Sequence, residues 1–352
     1  MDDAEGVHPR QRAATHLRLL ARLPVRLTET AQVVLGASVG VAPAPGGGAG
    51  GPGAPGVLLR RAEAASVEAR QRGGDAVVVW RADLDVDQRR RQHLVAGLTG
   101  ALDRRELAVH YQPEVDLPTR RALAVESLVR WPTPTRLVEA WEFVGLAEEF
   151  GLVDRLGWQV LDLALADARA WPSDVVVGVN VAAAQLDDPD LVARVLAACE
   201  RYDLDPRRLR VEVTETAVAR DRPGASARLG ELRRAGASVA LDDFGTGWSS
   251  MDALRSVPAD VVKVDRTFVS HVDSDSRDEA LVRVVVDLAA AVGLDVVAEG
   301  VERQEQVDAL QALGCSRGQG YLFDRAVPVD VLHRDWLRPS ARGGVVASSS
   351  SS

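Results

Sequence analysis

The chain has 352 residues, room for two domains at roughly 100–200 residues each. Apolar residues make up 46%, which rules out disorder of the whole. Lys and Arg number 42 against 51 Asp and Glu, so the net charge is −9 and no DNA or RNA polymer is expected as a partner.

The N-terminus, Met-Asp-Asp-Ala-Glu-Gly, is acidic where a signal peptide needs basic residues. No uncharged apolar stretch reaches 18 residues, so no membrane segment is expected and a cytoplasmic protein follows. Residues 1–26 are Arg-rich and helical in tone. Residues 32–42 (QVVLGASVGVA) read as a strand pair or one long strand, and 43–56 as a Gly/Pro/Ala loop. Residues 57–72 have helical periodicity and 75–80 (DAVVVW) form a buried-type strand. Residues 81–91 are charged and expected to be a helical linker.

From residue 92 the pattern changes. Short apolar runs at 108–115, 122–131, 175–180, 209–214, 238–242, 261–264, 295–298 and 318–321 read as strands. Amphipathic segments at 139–150, 154–171, 190–202, 224–235, 277–292 and 304–313 read as helices between most of them. This alternation predicts an α/β fold, a (β/α)₈ barrel. The first two strands are joined by the short turn Pro118-Thr119-Arg120, which reads as a hairpin. One barrel strand is therefore expected to run antiparallel. The expected organisation is a small N-terminal α/β region over 1–81, a linker over 82–91, the barrel over 92–338, and a disordered Ser-rich tail over 339–352.

One compositional bias sharpens the reading. The chain has no isoleucine, a single lysine, Lys263, and a single asparagine, Asn180. All three types use A/T-rich codons. Where a residue type is almost erased, its survivor is expected where the substitute fails. Arg cannot replace a compact ammonium, and Asp cannot replace a neutral amide oxygen without adding charge. Both survivors lie in apolar runs, and so do other polar strand ends. Glu126, Arg130, Asn180, Glu212, Glu215, Asp242, Asp243, Lys263, Asp265, Glu299 and Gln319 all sit in or just after such runs. Up to Val95 the chain has 13 basic and 10 acidic residues, and beyond it 29 and 41. Carboxylates gathered on one barrel face need cations between them. An all-oxygen donor set points to Mg²⁺ or Mn²⁺ rather than zinc. Cys199 and Cys315 are the only cysteines and form no C-x-x-C, which excludes a disulfide scaffold and a zinc–thiolate site.

These motifs, taken in order, resemble the EAL-domain family of cyclic-di-GMP phosphodiesterases. The matching stretches are Tyr111-Gln112-Pro113, Glu126-Ser127-Leu128-Val129-Arg130-Trp131, Val179-Asn180-Val181, Glu212-Val213-Thr214-Glu215, Asp242-Asp243-Phe244-Gly245-Thr246-Gly247-Trp248-Ser249-Ser250, Lys263-Val264-Asp265, Ala298-Glu299-Gly300-Val301-Glu302 and Gln319-Gly320-Tyr321-Leu322-Phe323. The resemblance implies metal-dependent hydrolysis of cyclic di-GMP to linear pGpG, with two metal ions. It implies that Glu126, Asn180, Glu212 and Asp242 ligate one ion and that Asp243 serves the second. Lys263 and Glu299 would activate water. Gln112 and Arg130 would contact the substrate's phosphate and base, Asp265 and Gln319 would bind substrate too, and Glu215 would brace the loop 243–250. A homodimer through helices near that loop is also implied. The signature triplet reads Glu-Ser-Leu, with Ser127 for the usual Ala. The alternative is an EAL-like receptor that holds cyclic di-GMP with little or no turnover.

Residues 37–42 and 58–65 resemble the last third of a GGDEF domain, without its signature loop; Gly73-Gly74-Asp75 follows the helix and opens a strand. This implies a degenerate remnant rather than a cyclase. His110 is expected to be a packed or rim histidine, and Trp131, Trp158 and Trp171 to be core residues.

Overall fold

The computed structural model describes residues 25–26, 32–33, 36–43, 55–71, 74–219, 221–245 and 257–337. The expectations for most of the Arg-rich N-terminus, for the loop 44–54, for Thr246–Ser250 and for the Ser-rich tail lie outside the described residues. The chain divides into two compact units, Met1–Gly97 and Leu98–Ser352.

In the first unit, β1 (Val25–Arg26) pairs antiparallel with β2 (Gln32–Val33). β3 (Val39–Val41), α1 (Pro55–Gln71) and β4 (Val77–Val79) form a β-α-β unit whose strands pair in parallel. Its small core is Ala65, Ala69, Val78 and Leu84. Gly40 is required there, because a Cβ would stand 2.0 Å from the Ala62 carbonyl oxygen of the helix. Segment 82–91 is the first part of α2 (Ala82–Arg104).

The second unit is a closed barrel. β5 (Ala108–Asp116), β6 (Ala122–Pro132), β8 (Val176–Asn180), β9 (Leu209–Thr214), β10 (Ser238–Phe244), β11 (Val261–Val264), β12 (Asp295–Ala298) and β13 (Arg317–Gln319) form the wall. β5 pairs antiparallel with both neighbours, β6 and β13, and every other wall contact is parallel. The expected antiparallel strand is thus the first one, reversed by the tight turn in which Arg120 adopts φ +60°. A short strand absent from the sequence reading, β7 (Leu137–Glu139), adds to the outer edge of β6.

The helices cover the wall. α3 (Ala140–Glu149), α4 (Val153–Ala168), α5 (Ala183–Leu186), α6 (Leu191–Arg201), α7 (Glu215–Ala219), α8 (Arg222–Arg234), α9 (Arg266–Val269), α10 (Ser276–Val292), α11 (Gln304–Ala312) and α12 (Val329–Leu332) follow in order. α4 shows why the pattern folds this way. Leu156, Val160, Leu161, Ala164, Leu165 and Ala168 recur at helical spacing and are all buried. Trp131 and Trp171 are buried as expected; Trp131 packs edge-on to Phe143, and Trp171 edge-on to Tyr111. Among the described residues no helix is long and apolar enough to cross a membrane.

Candidate active site

Side chains alternate along a strand, so residues two apart share a face. Gln112 pairs in register with Glu126 across β5 and β6, and Asn180 with Glu212 across β8 and β9. Asp242 lies near the end of β10, Lys263 on β11, Glu299 just past β12, and Gln319 ends β13. These are C-terminal strand ends, the face where barrel sites assemble.

Lys263 is the hub. Its side chain is 1% exposed, and its Nζ stands 2.7 Å from Glu299 Oε1, 2.9 Å from Glu212 Oε2, 3.3 Å from Glu126 Oε2 and 3.5 Å from Asp242 Oδ1. Burial alone would release its proton. The four surrounding carboxylates reverse that and hold the ammonium charged, well above the ordinary lysine range.

Glu126 receives the densest set of donors. Gln319 Nε2 donates to Oε2 at 2.6 Å and Asn180 Nδ2 to Oε1 at 2.9 Å. Burial opposes ionisation, yet Lys263 and these amides hold the carboxyl below its usual range. Glu212 differs. Burial pushes it up to about 7, with Lys263 opposing and the charges of Glu126 and Asp242 assisting. Its place depends on Gly178, where a Cβ would stand 2.3 Å from Glu212 Oε1. Glu299 is raised well above the carboxylate range, by burial and by Asp242 and Glu126, with Lys263 opposing.

Asp242 and Asp243 are consecutive, and a regular strand would send them to opposite faces. The register of β10 against β11 slips between Leu241 and Phe244, and Asp243 adopts φ +54°. This left-handed bulge turns Asp243 back toward the site. Two carboxylate triads result, Glu126/Glu212/Asp242 and Asp242/Asp243/Glu299, each with ligand atoms within 4.8 Å of one another. Asp242 belongs to both. All-oxygen donors gathered this closely fit hard divalent cations. Burial and the neighbouring Asp242 and Asp265 raise Asp243, as expected of a carboxylate crowded by like charge.

The remaining predicted residues are placed as follows. Gln112 accepts a hydrogen bond from Gln319 Nε2 at 3.1 Å and donates to the Asp324 carbonyl at 3.1 Å. Arg130 lies four residues beyond Glu126 on β6; its Nε stands 3.0 Å from Glu139 Oε2 on β7, and its Nη1 donates to the Val129 carbonyl. Asp265 is the N-cap of α9, where Oδ1 accepts from the Thr267 N–H and hydroxyl at 2.9 and 2.6 Å. Glu215 is buried at the start of α7. Most of the loop it was expected to brace lies outside the described residues.

A family model described as the EAL domain matches residues 96–326. The chain belongs to the EAL domain family. A bifunctional diguanylate cyclase/cyclic di-GMP phosphodiesterase of Pseudomonas aeruginosa, MucR, is 36% identical over 306 residues, 86% of this chain and 44% of that protein. A cyclic di-GMP phosphodiesterase of the same organism is 35% identical over 288 residues, 80% of this chain and 48% of that protein. The solved PaMucR phosphodiesterase in complex with c-di-GMP superposes with a TM-score of 0.65 at 39% identity, covering 68% of this chain and 99% of that one. The EAL domain of Mycobacterium smegmatis DcpA gives a TM-score of 0.57 at 34% identity, covering 65% and 96%. The chain spans 33% to 48% of the length of curated relatives it matches.

The EAL barrel also carries a buried charged set outside the predicted site. Arg210 and Glu114, both almost fully buried, are hydrogen-bonded to each other. Arg317 Nη1 lies 3.9 Å from the same glutamate and its Nη2 2.7 Å from Asp295. The signal was available: Arg210 is two residues before Glu212 and Glu114 two after Gln112, so strand periodicity puts each on its neighbour's face.

Proposed function

We propose that this chain hydrolyses cyclic di-GMP to linear pGpG with a divalent metal, Mg²⁺ or Mn²⁺, held as two ions. The observation that carries the reading is the pair of carboxylate triads sharing Asp242, with Lys263 paired to Glu299 of the second. The names of the relatives support the substrate. Glu126, Asn180, Glu212 and Asp242 would hold one ion, and Asp243, with Asp242, the other. A bound divalent cation supplies polarisation of the phosphate and lowers the pKa of water.

The chain's own residues do the rest. Lys263 Nζ donates to Glu299 Oε1 and orients that carboxylate. Glu299 would take a proton from the water that attacks phosphorus; the P–O3′ bond breaks and the 3′ oxygen leaves, protonated from solvent, as the free hydroxyl of the linear dinucleotide. Burial raises its affinity for a proton, the direction a general base needs. Asn180 and Gln319 hold Glu126 from either side, so its carboxylate is fixed before substrate arrives. Gln112, Arg130 and Asp265 are assigned to substrate and Glu215 to the loop 243–250. The β-α-β unit of residues 39–79 is read as the GGDEF-like remnant. The homodimer would use α10, whose Leu281, Val284 and Val292 are exposed.

The test is product analysis. Purified chain with Mg²⁺ or Mn²⁺ is expected to convert cyclic di-GMP to the linear dinucleotide. Ca²⁺, which takes longer bonds and more ligands, is expected to support binding without product. Glu126→Ala is expected to abolish product. Binding without product in every metal would return the receptor reading, and robust turnover in Ca²⁺ alone would contradict the assigned metal chemistry.

A further inference from the structure

A cavity of about 580 Å³ opens beside Asn180 and Glu212. Its walls include Leu128 and Val129 of β6 and the α3 face formed by Trp141 and Val144. Trp141 is 82% exposed. That is an unusual place for the largest apolar side chain, which normally buries most of its area. The other described tryptophans of this unit are engaged. Trp131 and Trp171 are buried, Trp158 lies under the Arg194 guanidinium at 3.7 Å, and Trp336 donates to Asp324.

Trp141 is also held on a rigid turn. It is the second residue of α3, and Phe143, Leu146 and Ala147 pin the opposite side of that helix in the core. Arg136 grips Glu142 through two bonds of 2.6 and 2.7 Å, and Glu142 Oε1 accepts from the Glu139 N–H at 3.4 Å. The indole is therefore carried by a fixed backbone at the edge of an apolar cavity that reaches Asn180 and Glu212.

We infer that Trp141 is a stacking platform for a purine base of the cyclic dinucleotide. This rests on the proposed substrate. A phosphate placed at the carboxylates leaves the bases to find cover nearby, and the adjoining cavity is apolar and edged by one exposed aromatic face. Stacking on an aromatic side chain is worth enough that its loss weakens binding by roughly ten- to a hundredfold.

The experiment measures the Kd of cyclic di-GMP by calorimetry in Ca²⁺, for the wild-type chain, Trp141→Ala and Trp141→Phe, with steady-state kinetics in Mg²⁺ alongside. Trp141→Ala is expected to weaken binding by roughly ten- to a hundredfold, with the kinetic loss carried by KM, and Trp141→Phe to recover most of it. A Kd for Trp141→Ala within about twofold of wild type overturns the inference. So does a Trp141→Phe variant as weak as alanine, because any aromatic face should stack. Wild-type binding without turnover removes the hydrolysis reading while the Kd comparison still decides the role of Trp141. Failure of the wild type to bind overturns both.

Discussion

Lys263 shows how far one residue type can be constrained. Arg fills 41 of the 42 basic positions, and the exception has its Nζ within 3.5 Å of four carboxylates in a site that is 1% exposed. An ammonium is compact and can aim three donors independently, whereas a guanidinium is planar, wider and fixed in its fork. Lys263→Arg keeps the charge and changes only shape. Misplacing a catalytic group by about 1 Å costs on the order of 10²-fold, so turnover of cyclic di-GMP is expected to fall by about that factor. Binding in Ca²⁺ is expected to persist. Near wild-type turnover would show that the lone lysine is an accident of codon usage.

Among the elements, β5 is the odd one, antiparallel to both neighbours, and its interior carries Glu114 against Arg210 of β9. Taking both charges out of water is costly, and their attraction mainly offsets that cost. Breaking such a pair from one side leaves a buried charge. Arg210→Met is therefore expected to destabilise the barrel by about 3–5 kcal/mol in urea unfolding. The double variant Glu114→Leu/Arg210→Met is expected to be more stable than Arg210→Met, because it removes the buried carboxylate that the single variant leaves facing only Arg317 at 3.9 Å. Additive losses would mean that the pair's geometry, and not the orphaned charge, sets the cost.

For the whole molecule, the question is where the barrel unit begins. α2 runs through from Ala82 to Arg104, and Leu98, Ala101 and Leu102 are buried at 0%, 0% and 1% exposure. Removing residues 1–91 leaves that last stretch in place and is expected to yield a soluble, cooperatively unfolding barrel. Removing residues 1–104 strips two buried leucines worth roughly 1.5–3 kcal/mol each. It is expected to lower the urea midpoint sharply or to give insoluble protein. Equal stability of the two truncations, or insolubility of the first, would refute this boundary.

Much of this is legible in the sequence. Local signals determined the alternation of strands and helices and the hairpin that reverses β5, because both depend on period and turn chemistry over a few residues. The expected strands at 209–214, 261–264 and 295–298 coincide with β9, β11 and β12. Composition singled out Lys263 and Asn180, since a residue kept against strong bias implies a local need. Tertiary structure alone decided the rest. That Asp242 and Asp243 both face the site depends on a bulge and a positive φ, which override the strand period. That Arg130 meets Glu139 depends on β7, a strand of three residues too short to show a period. The partners of Arg210 and the exposure of Trp141 depend on segments far apart in the chain. Periodicity says which face a side chain takes, and only closure of the barrel says what it meets there.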